Sequence, residues 1–286
     1  MMLTKKDWIK KINKLKTKKT IKNKDSIKGK LKEIVIRAIG KNTPEKKFGI
    51  FFSGGIDSTL IAYVCKKNRA SFICYCVGLE NSKDLESAKK AAKKLKFKLK
   101  IKIIKLDEAE KIIRSVVKIL DSSDVVNVGV GCVVYSATIL AKKDNIDVFF
   151  SGLGSEEIFA GYERHAHAKN VNAECWKGLK NMYERDLIRD YKISRKLKIK
   201  ILTPFLEDEL IKFGMQIPGK YKINKENKKI ILREIAEELG IPKEFAWRKK
   251  IAAQYGSGFD KAMEKLAKRN KLKTKREYLI KIQNET

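Results

Sequence analysis

The residues best placed to do chemistry stand in Ser53-Gly54-Gly55-Ile56-Asp57-Ser58, between an apolar stretch at 48–52 and a run carrying Leu60, Ile61, Tyr63 and Val64. The first stretch reads as a strand and the second as a helix that begins around Asp57. A serine and two glycines let the backbone turn sharply. Successive N–H groups and a helix N-terminus then face one point, a preorganised seat for an anion. No Gly-Lys-Ser/Thr follows at Walker A spacing, so the seat is of another kind. A second such turn, Ser151-Gly152-Leu153-Gly154-Ser155-Glu156-Glu157, follows the apolar stretch 147–150 and opens another helix. Two turns of this kind at the carboxyl ends of two strands are where open α/β sheets bind ligands. Glu156 and Glu157 fall on a first helical turn, where the helix dipole favours negative charge.

The SGGxDS form resembles the PP-loop of ATP pyrophosphatases, which split ATP between its α and β phosphates. The second motif, in full SGLGSEEIFAGY, is similar to the SGEGSDELFGGY signature of the synthetase domain of asparagine synthetases, a group that includes β-lactam synthetase-like enzymes. Four more segments stand in that family's order. They are Cys76-Val77-Gly78-Leu79 with Asp84-Leu85-Glu86-Ser87-Ala88, a PFLD-like Thr203-Pro204-Phe205-Leu206-Glu207, an ILRE segment at 229–234, and Ala246-Trp247-Arg248-Lys249-Lys250 for AWRxK. The likeness runs over about residues 27 to 268.

The resemblance implies a ligase that adenylates a carboxylate acceptor, releases pyrophosphate and forms an amide with ammonia or another amine, using ATP and Mg²⁺. It implies that Asp57 and Glu156 hold Mg²⁺, and that Ser53 and Ser58 bind phosphate oxygens beside the amides of Gly54 and Gly55. Lys250 takes the place of the family's catalytic lysine. The adenine is expected near Phe52 and Val77, and the ribose or α-phosphate near Ser151 and Gly152.

Departures from the pattern bear on the acceptor. The SGEG glutamate, implicated in the amidation half-reaction, is Leu153, which neither transfers a proton nor binds an amine. Glu156 replaces an aspartate with a longer carboxylate that still reaches a metal. In the ExRxPFLD element, Lys200 and Leu202 stand for the Glu and the Arg. ATP handling is expected to persist, while the acceptor stays open. The family's glutaminase nucleophile is a cysteine at position 2, where this chain has Met2. Ammonia, another amine or a separate glutaminase subunit is therefore expected to supply nitrogen. His165 and His167 form an HxH pair. On a helix their rings diverge by roughly 200°, and no third ligand is evident, which weighs against zinc. An active-site role for Arg164 or His165 stays open.

Strands are predicted at 48–52, 71–77, 99–106 and 148–150, alternating with helices at 58–67, 85–95, 107–120 and 133–143. That alternation predicts an α/β fold, a doubly wound parallel sheet with right-handed crossovers. An amphipathic helix at 27–39, ended by Gly40, precedes it. Beyond Tyr162 the strand signal fades into helices at 173–197, 204–215, 228–239, 242–247 and 259–268. With the resemblance, the expected fold is of the PP-loop ATP pyrophosphatase type with a C-terminal helical subdomain. The expected division is a basic N-terminal arm and helix at 1–45, an ATP-binding domain at 46–170, and a helical subdomain at 171–286.

Composition sets the remaining bounds. The five cysteines are odd in number and scattered, and suit a reducing cytoplasm. No run of 18 uncharged apolar residues is present, so no membrane span is expected. Lys+Arg 66 against Asp+Glu 34 gives a formal net charge of +32, which makes RNA a candidate partner. The basic residues are spread through helices rather than interleaved with aromatics, so no recognition module stands out. A PP-loop enzyme that adenylates a base in tRNA is the second reading. A non-catalytic nucleotide-binding relative is the third.

Overall fold

The structure, a computed structural model, describes residues 3–17 and 19–285; Met2 lies outside the described residues. Its sheet is built from β1 (Phe48–Phe51), β2 (Phe72–Leu79), β3 (Leu99–Ile104), β4 (Val148–Phe150) and β5 (Lys200–Leu202), all parallel, in the order β3-β2-β1-β4-β5. The chain enters at β1, builds outward through β2 and β3, then crosses back to β4 and β5. The winding direction therefore reverses between β1 and β4, and a crevice opens outside their carboxyl ends. This is the expected doubly wound parallel sheet, followed by a mainly helical C-terminal part.

In chain order the helices before β4 are α1 (Lys5–Leu15), α2 (Lys24–Asn42), α3 (Ile56–Lys67), α4 (Lys83–Leu95), α5 (Leu106–Leu120) and α6 (Val125–Lys142). Between β4 and β5 come α7 (Ser155–Ile158), α8 (Glu163–Ala166), α9 (Val171–Met182) and α10 (Ile188–Leu197). After β5 come α11 (Asp208–Gly214), α12 (Gly219–Lys222), α13 (Ile230–Glu238), α14 (Lys243–Ala246), α15 (Ala253–Gly256), α16 (Phe259–Arg269) and α17 (Lys275–Glu285).

Side chains alternate across a strand, so β2 feeds two cores. Cys74 and Cys76 join the core shared with α2, α3 and α4, while Ile73, Tyr75 and Val77 join the one shared with α5, α6, α16 and α17. All five cysteines are free and buried, and burial pushes the Cys65 thiol up to about 12.

The structure corrects several sequence expectations. The three-residue edge strand β5 was not expected. Helix α2 runs through Gly40 to Asn42, and α6 starts at Val125 rather than 133. By length and composition α6 resembles a membrane span, but half of it is buried, and it packs on α5, α10, α15 and α16. The single helix read at 173–197 is interrupted by a π-helical turn, Tyr183–Leu187. Within the expected basic arm, α1 is capped by a Thr4–Asp7 capping box. It docks through buried Ile12 and through Trp8, whose Nε1 donates to the Leu179 carbonyl at 2.8 Å.

Candidate active site

The two glycine-rich turns meet at the carboxyl ends of β1 and β4. Gly54 adopts φ +69°, and a Cβ there would lie 2.7 Å from the Ser87 backbone carbon of α4, so only glycine fits. The Gly55 N–H donates to Ser53 Oγ at 3.3 Å, and Ser58 Oγ donates to the Gly55 carbonyl at 3.2 Å. Asp57 then stands on the first turn of α3. A Cβ on Gly152 would lie 2.8 Å from Cβ of Asp57, so the second turn packs directly on the first. Helix α7 begins one residue past Gly154 and sets Ser155 and Glu156 beside Asp57.

Lys229 joins these groups. It sits at φ +58° immediately before α13, and its side chain is 1% exposed. Its ammonium donates to both Asp57 carboxylate oxygens, at 2.8 and 2.7 Å, to Ser155 Oγ at 2.9 Å, and to Glu156. Lys250 reaches Glu156 too, its Nζ 2.5 Å from Oε2. Burial opposes the charge of Glu156, yet Lys229 and Lys250 together hold its carboxyl at about 2. Burial also opposes the charge of Lys229, but Asp57 and Glu156 raise its pKa above the ordinary lysine value. Glu156 and Lys229 are therefore an ion pair at neutral pH.

Two arginines fix the frame. Arg233 of α13 donates to the carbonyls of Lys228, Ala246 and Arg248 at 2.7, 2.7 and 3.0 Å. These bonds tie the irregular segment carrying Lys250 to α13. Arg248 donates to the Ser53 carbonyl and to Asp84 Oδ1, both at 3.1 Å. Burial pushes Asp84 up to about 6 against the pull of that arginine. The cavity between the turns, about 60 Å³, is lined among others by Ser53, Gly55, Asp57 and five cations, Lys228, Lys229, Arg233, Arg248 and Lys250. Such a lining selects an anion.

Asp57 and Glu156 converge on one point, an oxygen donor pair of the kind Mg²⁺ takes together with phosphate oxygens. The Lys229 ammonium stands at that point, so the pair would hold a divalent cation only with Lys229 moved away. Among the described residues, no group of three or more His, Cys, Asp or Glu side chains is placed to hold a metal ion.

Of the residues singled out in the sequence, Asp57, Glu156 and Lys250 come together here, and Ser53 and Gly55 line the cavity. Gly54, Ser58, Ser151 and Gly152 form the two turns. Phe52 and Val77 are not brought to the cavity by their side chains: both are buried, in different cores, with Phe52 edge-on to Phe97 at 5.9 Å. Leu153 faces a second, open cleft of about 400 Å³, shared with Trp8, Tyr183, Leu187, Ile201 and Leu206. The histidines part company. His165 is buried, its Nδ1 accepts from the Tyr162 N–H at 3.1 Å, and burial lowers its pKa to about 4; His167 is exposed beside Glu163. Sequence reasoning gave Lys229 no role beyond its segment. The signal that could have found it is that two carboxylates at one switch point require a cation. A lysine directly before the apolar run 230–232 of a matched segment is the candidate.

Comparison with known proteins shows the family. The profile of the asparagine synthase family matches residues 30–177 and 165–280. A Methanocaldococcus jannaschii protein named as a glutamine-hydrolyzing asparagine synthetase is 33% identical over 268 residues, covering 80% of this chain and 49% of its own length. The asparagine synthetase of Gallus gallus is 27% identical over 246 residues, covering 81% of this chain and 44% of its own length. The chain thus spans about half the length of the curated relatives it matches. Among solved structures, NMN synthetase from Francisella tularensis aligns with 89% of this chain and 98% of its own, at 13% identity and a TM-score of 0.35.

Proposed function

The chain belongs to the asparagine synthase family, and on that premise we propose that it is an ATP-dependent ligase that adenylates a small carboxylate acceptor, releases pyrophosphate and forms an amide with ammonia or another amine. The observation that carries this reading is the meeting of Asp57, Glu156, Lys229 and Lys250 between the two turns. An acceptor oxygen attacks the α-phosphorus, the bond from that phosphorus to the bridging oxygen breaks, and pyrophosphate leaves with the electron pair. The amine nitrogen then attacks the acyl carbon and loses a proton, and AMP leaves.

In the first step the protein mainly has to position the phosphates and offer charge where the leaving group gathers it. The amides of Gly54 and Gly55 orient phosphate oxygens. Lys229 and Lys250 keep two positive charges at the same seat. Arg248 braces the loop from behind through the Ser53 carbonyl. Mg²⁺, held by Asp57 and Glu156, supplies further charge neutralisation when bound. The five free, buried thiols fit action in the reducing cytoplasm.

The test is product analysis. Purified protein given Mg-ATP, ammonium and a panel of small carboxylic acids, aspartate included, yields AMP and pyrophosphate. Release of ADP and phosphate overturns the reading. The net charge of +32 favours a second reading, adenylation of a base in tRNA. A diffuse lysine surface binds RNA weakly and without preference, and in about 0.15 M salt it is screened beyond about 8 Å. Strong stimulation of ATP cleavage by one tRNA species at that salt, with no response to carboxylic acids, would favour the tRNA reading.

A further inference from the structure

Lys250 lies in the segment 248–252, which belongs to no helix or strand. A lysine on such a segment has a flexible stem, and one carboxylate alone fixes its ammonium poorly. Glu156 is moreover shared with Lys229. The second contact is the ring of Tyr162, whose centroid lies 4.7 Å from Lys250 Nζ. Tyr162 is itself held from several sides. Arg164 lies over its ring at 4.1 Å, Arg185 at 5.1 Å, and the Arg185 guanidinium donates to its hydroxyl at 3.3 Å.

Arg185 comes from the π-helical turn, which no sequence motif marks. There it also pairs with Glu157, whose side chain is 0% exposed, and with Asp186 at 2.6 Å. Arg189 continues the chain of buried pairs, to Asp186 at 3.1 Å and Asp190 at 2.8 Å. A π-turn rotates the residues after it relative to an unbroken α-helix, and such turns gather at functional sites. Here the turn brings a guanidinium to the ring and hydroxyl of the tyrosine that carries Lys250.

We propose that Tyr162 is a positioning residue: its ring holds the Lys250 ammonium at the anion seat by a cation–π contact, and Arg185 of the π-turn locks the ring. The proposal rests on the ligase reading, in which Glu156 turns toward a metal and the ring becomes the contact of Lys250 that does not change partners.

The experiment replaces Tyr162 with phenylalanine and then with its di- and trifluorinated forms. These keep the size of the ring while draining its negative face. Pyrophosphate release falls for Tyr162→Phe, which loses the hydroxyl that Arg185 holds, and then falls further and stepwise with fluorination to about 30-fold in kcat, with KM for ATP unchanged. A flat series means the ring only packs, and overturns the proposal. A parallel measurement needs no activity: acylation of Lys250 in the resting protein, read by mass spectrometry, rises along the same series and with Arg185→Gln. If labelling follows the series while wild type forms no AMP, the ligase reading fails and the positioning stands. If labelling is flat, the positioning fails whatever the activity.

Discussion

The 151–154 turn separates two regions that differ in chemistry. On one side Gly152 lies against Asp57 and the turn borders a cavity lined by five cations. On the other, Leu153 faces an open cleft of about 400 Å³, where apolar side chains mix with Lys11, Asp190 and Glu207. The cavity gathers charged side chains, whereas the cleft has an isobutyl group where the family signature has a carboxylate. The contrast is one of coupling. In the cavity Lys229 and Lys250 are the partners of Asp57 and Glu156, so removing one leaves an uncompensated ion. Leu153 has no such partner, and its side of the turn can change chemistry without unfolding the other.

Lys229→Met tests that coupling hardest. It strands Asp57 and Glu156 near each other without their buried counter-ion, and is expected to cost about 3–5 kcal/mol in urea unfolding. Millimolar Mg²⁺ should restore part of that stability in the variant and do little for wild type. A variant as stable as wild type would break the comparison.

A second buried lysine shows what Lys229 would be without its carboxylates. The Lys222 side chain is fully buried, its recorded hydrogen-bond partner is the Met215 sulfur at 3.9 Å, and burial lowers its pKa to about 8. Its folded pKa lies below its unfolded value of 10.5. The unfolded chain therefore binds more protons between about pH 8 and 10.5, and stability rises with pH in that window. Lys222→Met is expected to stabilise the protein by about 3 kcal/mol at pH 7, with the gain shrinking toward pH 10. A gain independent of pH would contradict this.

Glu156 has the opposite sign. Its folded pKa of about 2 lies below the ordinary 4.5, so its contribution is complete above about pH 4.5 and is lost as pH falls toward 2. Glu156→Gln should flatten the acid limb of the stability profile. The smallest effect is expected on the Leu153 side. Leu153→Glu should leave ATP–pyrophosphate exchange within about threefold, because the side chain faces away from the cavity, and should alter only the amine-dependent step. Loss of exchange in this variant would merge the two sides.

Much of this was legible in the sequence because the sheet is regular. Four strands and the two turns follow from apolar runs ending in glycine-rich segments, whereas the order of the strands in the sheet, and with it the switch point, needs the structure. β5 was hidden because Lys200-Ile201-Leu202 is too short to show a period and lies at the sheet edge. The first turns of α6 were hidden by Gly129 and Gly131, which lower helix propensity where close packing demands small residues. The π-turn leaves no trace in a 3.6-residue pattern, so Arg185 could not be placed beside Tyr162. Asp57, Glu156 and Lys250 were found through motif positions. Lys229 was passed over because its role depends on burial, and in a chain with 66 Lys and Arg one more lysine carries little signal.

In the proposed reaction pyrophosphate forms and leaves between the two turns. Exchange of labelled pyrophosphate into ATP, with Mg²⁺ and each carboxylic acid of the panel but no amine, tests it most directly. Exchange is expected with at least one acid, and is expected to fall about a thousandfold or more in Asp57→Asn at unchanged secondary structure. No exchange with any acid, or exchange that survives Asp57→Asn, would contradict the account.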